Sequence, residues 1–442
     1  MRSWVSSDFS KDFRSSSVKN CGAHLVKKRN SIKVSIYLNA YKIMRRLQVV
    51  LNHLAGETEV VIVAAGRSPL SNYKGDLSGY TAVELASKTL EGTLERHKIP
   101  ASCVQELFLG NVYAAGLGQS PAKQVAVRAG LPDSTVCSNL NKVCSSGMLA
   151  ITSAYLTIKQ GMQDVVVAGG VDIMSNVPHY MDRNSTTKGD TKLIDGMVKD
   201  GLWDSRYNVH MGECAERCAE KYSITREEMD TFAINSHTKA LKAWEEGKFD
   251  SEVIPVKHPK NQKTVGKDFI KGPNQKFASM RTAFRKENGR VTAGNASPLS
   301  DGAAMLVLSS RKKADEMGWK VLGTVESFAH AEQNNVDFTT TPNLAVRKAC
   351  ERAGVGLGKV DFYELNEAFA VVGIANTRLL EIDEKRVNVY GGAVAIGHPL
   401  GCSGARIVVT LLSVLRQEGG KVGVAGICNG GGGATALVIR AN

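Results

Sequence analysis

No apolar run in the 442 residues reaches the roughly 18–20 that a membrane-spanning helix needs, which sets aside a helical membrane protein. Aromatic residues are scarce at 6%, whereas glycine occurs 43 times. That combination suits an α/β protein with many tight strand–helix turns. The nine cysteines contain no CxxC pair and no compact disulfide framework, and the sequence shows no secretory signal pattern. Free thiols in a reducing compartment are expected, and any of them is available as a nucleophile.

What the chain does have is positive charge, a net +13, but it is unevenly spread. Eleven of the Lys and Arg residues fall within residues 1–56, against only Asp8 and Asp12. The remainder is mildly basic, enough for a nucleotide-sized polyanion, and nucleic-acid binding is not expected. Residues 1–57 read as a targeting leader outside the fold, rich in Ser, Lys and Arg as a mitochondrial presequence would be. Within it, Arg46-Leu47 and His53-Leu54 are spaced like a type-2 peroxisomal signal, with Met44 as a candidate start. These four residues share one face of a helix, which an import receptor could read. A peroxisomal location is the expectation, with mitochondrial, cytosolic or address-free amphipathic readings left open.

From Val60 the sequence repeats itself. Thr81–Leu94 reads as helix and Val104–Gly110 as strand; in the second half Pro342–Ala353 and Val360–Glu364 follow suit. Cys144-Ser-Ser-Gly147 opens a helix leading to an apolar strand from Asp164. Gly401-Cys-Ser-Gly404 does the same before Lys421. Short apolar runs alternating with helical stretches predict buried strands covered by helices, in two similar α/β halves. The expected organisation is 58–176 and 291–310 as the first half, 311–442 as the second, and 177–290 as an inserted loop domain. Thr225 and Glu228 form a capping-box pattern within that insertion.

Four motifs carry candidate chemistry. Cys144, in Asn141-Lys-Val-Cys, sits at a strand-to-helix junction, where free N–H groups would lower a thiol pKa and stabilise an oxyanion. A buried structural cysteine is the plain alternative. His398 follows the glycine-rich Gly391–Gly397, where it could serve as a general base or as a packing histidine. Cys428 precedes four glycines, whose amides, Gly430 first, could bind an oxyanion while the thiol shuttles a proton. Asn366, in Asn366-Glu-Ala-Phe-Ala370, could position a water. His210, Cys214 and Cys218 share one helix face, but a fourth metal ligand is missing, so core packing is preferred.

Taken in order and spacing, these four motifs resemble the signatures of the thiolase family, from about Val60 to the end. The Asn429-Gly430-Gly-Gly-Gly433 run and His210-Met211-Gly212 resemble its acetyl-CoA C-acetyltransferase branch more than the long-chain 3-ketoacyl-CoA thiolases. The resemblance implies a layered α/β/α/β/α fold of two βαβαβαββ-type halves. It implies that acetyl-CoA acetylates Cys144, with His398 as its activator and Cys428 as the base for the second acetyl-CoA. Asn366, through a water, would share one oxyanion hole with His398; the Cys144 and Gly430 amides would form the other.

The family's CoA site would place Ser297 on pantetheine and Lys271 and Lys276 on the phosphates. Met211 and Phe369, beside His210, would line a short acyl pocket. Some relatives hold potassium between a tyrosine and backbone carbonyls. Ala293, Gly294, Ala296 and Val394 match those carbonyl positions, but Arg206 stands in the tyrosine's place and Tyr207 follows it. No cofactor beyond the CoA thioester substrates is required, and a homo-oligomer, dimer or tetramer, is implied. A broader 3-ketoacyl-CoA thiolase of peroxisomal β-oxidation and a non-catalytic CoA or lipid binder are the competing readings.

Overall fold

The computed structural model describes residues 58–442 apart from 186–187, 259 and 275; the leader, with Arg46-Leu47 and His53-Leu54, lies outside the described residues. The first half runs β1 (Val60–Arg67), α1 (Ala82–His97), β2 (Glu106–Gly110), α2 (Pro121–Arg128), β3 (Val136–Leu140), α3 (Ser146–Lys159) and β4 (Val165–Ile173). The chain then leaves the sheet, carrying α4 (Met211–Lys221) and α5 (Arg226–Glu245), and returns as β5 (Ser300–Ser310). The second half runs β6 (Gly323–Glu332), α6 (Thr341–Arg352), β7 (Phe362–Leu365), α7 (Ala370–Leu380), α8 (Leu400–Gln417), β8 (Val422–Asn429) and β9 (Gly433–Ala441). The capping boxes Thr81/Glu84 and Thr225/Glu228 start α1 and α5, each satisfying otherwise orphaned N–H groups.

Hydrogen bonding joins the strands in the order β7-β8-β9-β6-β1-β5-β4-β2-β3. From its outer edge inward, the first half therefore uses its third, second, fourth, fifth and first strands. The second half follows the same order, with Val387 bridged in parallel to Tyr363 standing in for a third strand. The halves meet where β1 pairs with β6 over Val61↔Thr324 and Ile62↔Gly323.

Alternation along the strands divides the interior. Val61, Val63, Val165 and Val167 face one hydrophobic cluster with Leu85 and Leu90 of α1, whereas Ile62, Val166 and Ala168 face another with Ile151 of α3 and Val408 of α8. Helix α8 packs on β4 and β5 of one half and β7 and β8 of the other, with α3 beside it. Helices α1 and α2 cover the outer face of the first half-sheet, and α6 that of the second, with α7 beside α6. The result is five layers, with the N-termini of α3 and α8 side by side at the centre.

Glycine makes that proximity possible. A Cβ on Gly147 of α3 would lie 2.7 Å from the Gly401 carbonyl of α8, and one on Gly170 of β4 would lie 1.9 Å from the same oxygen. Backbone touches backbone where any side chain would force the layers apart.

Candidate active site

Cys144 stands at the turn between β3 and α3. The residue before it, Val143, has φ of +47°, a conformation that a β-branched side chain adopts at a cost of about 1–3 kcal/mol. The surroundings hold it there. Val143 N–H donates to Asn141 Oδ1 at 2.9 Å, and Ser146 Oγ donates to the Val143 carbonyl at 2.6 Å while accepting from Lys142 N–H at 2.8 Å. Next in sequence, Ser145 Oγ donates to Asn429 Oδ1 at 2.9 Å, tying the turn to the end of β8 in the other half. The turn leaves the Cys144 sulfur within reach of the Gly430 N–H of the second half.

That half supplies the partners. Gly397, with φ of +105°, turns the chain so that His398 enters the site just ahead of α8. Ser403 Oγ donates to the Pro399 carbonyl at 2.9 Å, so its contact with His398 Nδ1 at 2.6 Å is made by the imidazole N–H donating to the hydroxyl. Nε2 is thereby left as the basic nitrogen, 3.4 Å from Asn366 Nδ2. Burial, and then the charge of Arg406, pull the imidazole pKa down to about 3, so His398 rests neutral. Asn366 Oδ1 is buried with no protein partner, an open acceptor of the kind a bound water satisfies.

Both thiols rest protonated. Burial pushes Cys144 up to about 12, opposed by the Gly430 N–H that points at its sulfur. Cys428 is fully buried and held well above the ordinary thiol range, first by burial and then by Cys144. The expectation that helix-terminal amides lower the Cys144 pKa is therefore corrected: desolvation outweighs them, and the thiol needs a base. His398 is that base by position.

Cys144, His398, Gly430, Ser297, Met211 and Phe369 all line one cavity of about 350 Å3, mostly apolar in its walls. His210 lines it too, with Nδ1 accepting from Gly212 N–H at 3.0 Å as the cap of α4 and its ring stacked on Phe284. Cys214 and Cys218 are buried in the core on the same helix. Asn366 and Cys428 sit behind the wall. A larger cleft of about 490 Å3 beside α5 and α7 contains neither cysteine nor histidine, so nucleophile and base share the smaller one.

Three more of the residues expected from sequence are not part of that lining. Tyr207 is exposed, with the Arg206 guanidinium over its ring. Lys276 is exposed beside the short turn Phe277–Ser279. Lys271 lines an adjoining small cavity with His237, Gly294 and Val394; Ala293 lines both cavities and Ala296 the main one. The Lys271 charge is close enough to help depress His237 to about 4, after burial. Tyr207 lines neither cavity, so the carbonyls of Ala293, Gly294, Ala296 and Val394 have no tyrosine partner from this segment for a potassium ion.

Sequence reasoning missed two supports: Ser403, which fixes the His398 tautomer, and the Val143 conformation. Ser403 had a legible signal, a hydroxyl in the first turn of the helix that follows His398. Val143 had none, because valine is the last residue type that a positive φ would suggest.

A buried cysteine, a neutral histidine oriented for proton transfer, and a second cysteine at the seam of two like halves together define an acyl-transfer site with a thiol nucleophile. Comparison with known proteins gives the same class. Residues 60–312 match the thiolase N-terminal domain and residues 319–441 the thiolase C-terminal domain. The chain belongs to the thiolase family. It is 49% identical over 394 residues to an acetyl-CoA acetyltransferase of Saccharomyces cerevisiae, covering 86% of this chain and 98% of that one. It is 47% identical over 390 residues to acetyl-CoA acetyltransferase 1 of Arabidopsis thaliana, covering 86% and 94%. Among solved structures, the Acat5 thiolase of Ascaris suum in complex with coenzyme A superposes with a TM-score of 0.84 at 41% identity, covering 87% of this chain and all of that one.

Proposed function

We propose that the protein is an acetyl-CoA C-acetyltransferase, joining two acetyl-CoA into acetoacetyl-CoA and CoA and running the reverse thiolysis. The observation that carries this is the convergence of Cys144, the Gly430 N–H and His398 on one small cavity, with Cys428 directly behind it.

In the first half-reaction the Cys144 proton passes to His398 Nε2 as the sulfur attacks the acetyl carbonyl. The C–S bond to CoA breaks, and the departing thiolate takes the proton from His398. In the second, Cys428 passes its thiol proton to His398, the resulting thiolate removes a methyl proton from a new acetyl-CoA, and the carbanion so formed attacks the acetyl-Cys144 carbonyl. A carbon–carbon bond forms, the Cys144 C–S bond breaks, and the departing Cys144 thiolate takes the proton held on His398, while Cys428 keeps the methyl proton as a neutral thiol. Negative charge on the acetyl-Cys144 oxygen is held by the Cys144 and Gly430 amides; that on the second thioester oxygen is held by His398 and an Asn366-bound water. Met211 and Phe369 restrict the acyl pocket. Ser297 meets the pantetheine arm, while Lys271, Lys276, His210 and Tyr207 act toward the outer parts of CoA. Turnover needs no potassium.

The decisive measurement is CoA-dependent cleavage of acetoacetyl-CoA against 3-ketohexanoyl-CoA and a long-chain 3-ketoacyl-CoA. Turnover confined to the shortest substrate supports the reading; comparable turnover of the longest moves the protein to β-oxidation. We propose further a homo-oligomer, tested by light scattering, and peroxisomal import through Arg46-Leu47 and His53-Leu54, tested by locating a fluorescent fusion with and without those residues altered.

A further inference from the structure

We propose that Asp172 is a positioning residue for this reaction: one buried carboxylate that locks the start of α8, and with it His398, to the Asn111–Tyr113 segment that backs the Met197 wall of the site. The inference rests on the acetyltransferase reading for its chemistry, but its geometry stands independently.

Asp172 lies near the end of β4 and is fully buried. Its Oδ2 accepts from Gly401 N–H of α8 at 2.6 Å. Its Oδ1 accepts from Asn111 Nδ2 at 2.7 Å, Tyr113 N–H at 3.1 Å and Val112 N–H at 3.2 Å. Four donors from two separate segments thus converge on one side chain. Helix α8 needs such a partner, because its N-cap is Pro399, which makes no side-chain cap. A negative group at this helix end also meets the positive end of the helix dipole. The carboxylate comes from the other half of the molecule, so the cap is also a cross-link between halves.

Two consequences reach the chemistry. His398 takes its orientation from Ser403, which belongs to the same first turn of α8, so the register of that turn sets the direction of Nε2. On the other side, Tyr113 ends the three-residue segment held by Asp172; its hydroxyl donates to the Met197 carbonyl at 3.2 Å, and Met197 lines the catalytic cavity. Gly401 must be glycine for this arrangement, since a Cβ there would meet Asp172 Oδ2 at 2.8 Å and Asn111 Cα at 3.1 Å. Burial raises the Asp172 pKa to about 7 although all its hydrogen bonds oppose the rise. Its charge is also among the influences holding the Cys144 thiol high. The other titratable groups close to these two are Tyr113, Cys402, His398 and Cys428.

The test is Asp172→Asn in the full chain, which keeps the shape but replaces an acceptor with an amide that faces N–H groups. Two readouts are taken: acetoacetyl-CoA cleavage, and the pH profile of Cys144 alkylation by iodoacetamide. The expected result is a kcat lowered about tenfold to a hundredfold with KM held within about twofold, as for a misplaced base. The alkylation profile is expected to move to lower pH, because a negative neighbour of the thiol is gone. Turnover within twofold of wild type overturns the proposal. So does a loss of turnover with an unmoved alkylation profile, which is what a merely structural defect would give. If Asp172→Asn does not fold, Asn111→Ala removes one donor and leaves the carboxylate, and a several-fold fall in kcat at constant KM is then expected; an unchanged kcat overturns the proposal. A wild-type chain without acetoacetyl-CoA turnover would sink the enzyme reading instead, and the alkylation arm would still judge Asp172.

Discussion

The two halves of this molecule share a strand order and little else where the chemistry is. At the end of β3 the first half makes a strained turn that presents Cys144. The second half has no full strand at the corresponding place, only the single bridge at Val387, and its following segment instead delivers His398 ahead of α8. At the end of the fourth strand the first half carries Asp172, a carboxylate bonded to backbone, and the second carries Cys428. A duplicated scaffold thus provides two helix N-termini at one central seam, and the side chains placed there have separated into nucleophile on one side and proton handling on the other.

The sharpest way to break that division is to remove the two cysteines singly. Isotope exchange between acetyl-CoA and labelled CoA needs only the first half-reaction, whereas acetoacetyl-CoA formation needs both. Cys144→Ala should abolish both, by about 10⁴-fold or more, as for other lost nucleophiles. Cys428→Ala should cut condensation by a similar factor yet leave exchange within about tenfold of wild type. Loss of exchange in Cys428→Ala would show that the second half's thiol takes part in acyl transfer itself, and the division of labour would fall.

The next effect down tests His398 and its supports. Asn366→Ala removes the open acceptor at the second oxyanion position and should lower kcat by about 10²–10³-fold, the usual cost of one such group. Ser403→Ala frees the imidazole to take either tautomer and should cost less, about tenfold, with the pH profile of kcat/KM altered as well. Equal effects of the two would mean that Asn366 acts by orienting the ring, not by holding charge.

Much of this was legible in the sequence because the signals were local. The helix starting at Thr225 was marked by its capping box, and the second-half helix by Pro342 near its first turn. The order Cys144, Asn366, His398, Cys428 with its glycines marked the site residues. What stayed hidden depends on partners distant in sequence. Asp172 and Gly401 are 229 positions apart, and nothing in Val-Asp-Ile announces a helix cap for the other half. The thiol pKa was misjudged for a related reason: the helix end is visible in sequence, whereas the burial that overrides it comes from packing by both halves. Lys271 and Tyr207 belong to the insertion between β4 and β5 but lie on its stretches outside α4 and α5, and neither lines the main cavity.

A smaller and purely mechanical effect checks the seam itself. Gly170→Ala places a Cβ 1.9 Å from the Gly401 carbonyl, and no rotamer can relieve a clash with backbone. The expected destabilisation is about 3 kcal/mol, at the upper end for overpacking. Gly161→Ala serves as its reference: φ is +66° but the space around it is open, so about 1 kcal/mol is expected from conformation alone. Thermal unfolding of the two variants measures the difference. Similar transition temperatures would mean that the layers can separate, and that the backbone contact between halves is not what sets their spacing.

The smallest expected effect is none at all, and it separates this chain from relatives that hold potassium. The small cavity beside Ala293, Gly294 and Val394 already faces the Lys271 ammonium, and the only nearby tyrosine in sequence, Tyr207, is exposed with Arg206 over it. Lys271 is itself exposed, so solvent screens its charge, and the missing tyrosine ligand is the larger obstacle to the ion. Rates of acetoacetyl-CoA cleavage in potassium and sodium chloride at equal ionic strength should therefore agree within error. Lys271→Met, which removes the ammonium and keeps the length of the side chain, should leave that indifference intact if a tyrosine ligand is also required. Activation of Lys271→Met by potassium, but not of wild type, would instead identify the lysine charge as the sole obstacle to the ion. Activation of wild type would show that the carbonyls of this loop accept potassium in spite of both departures.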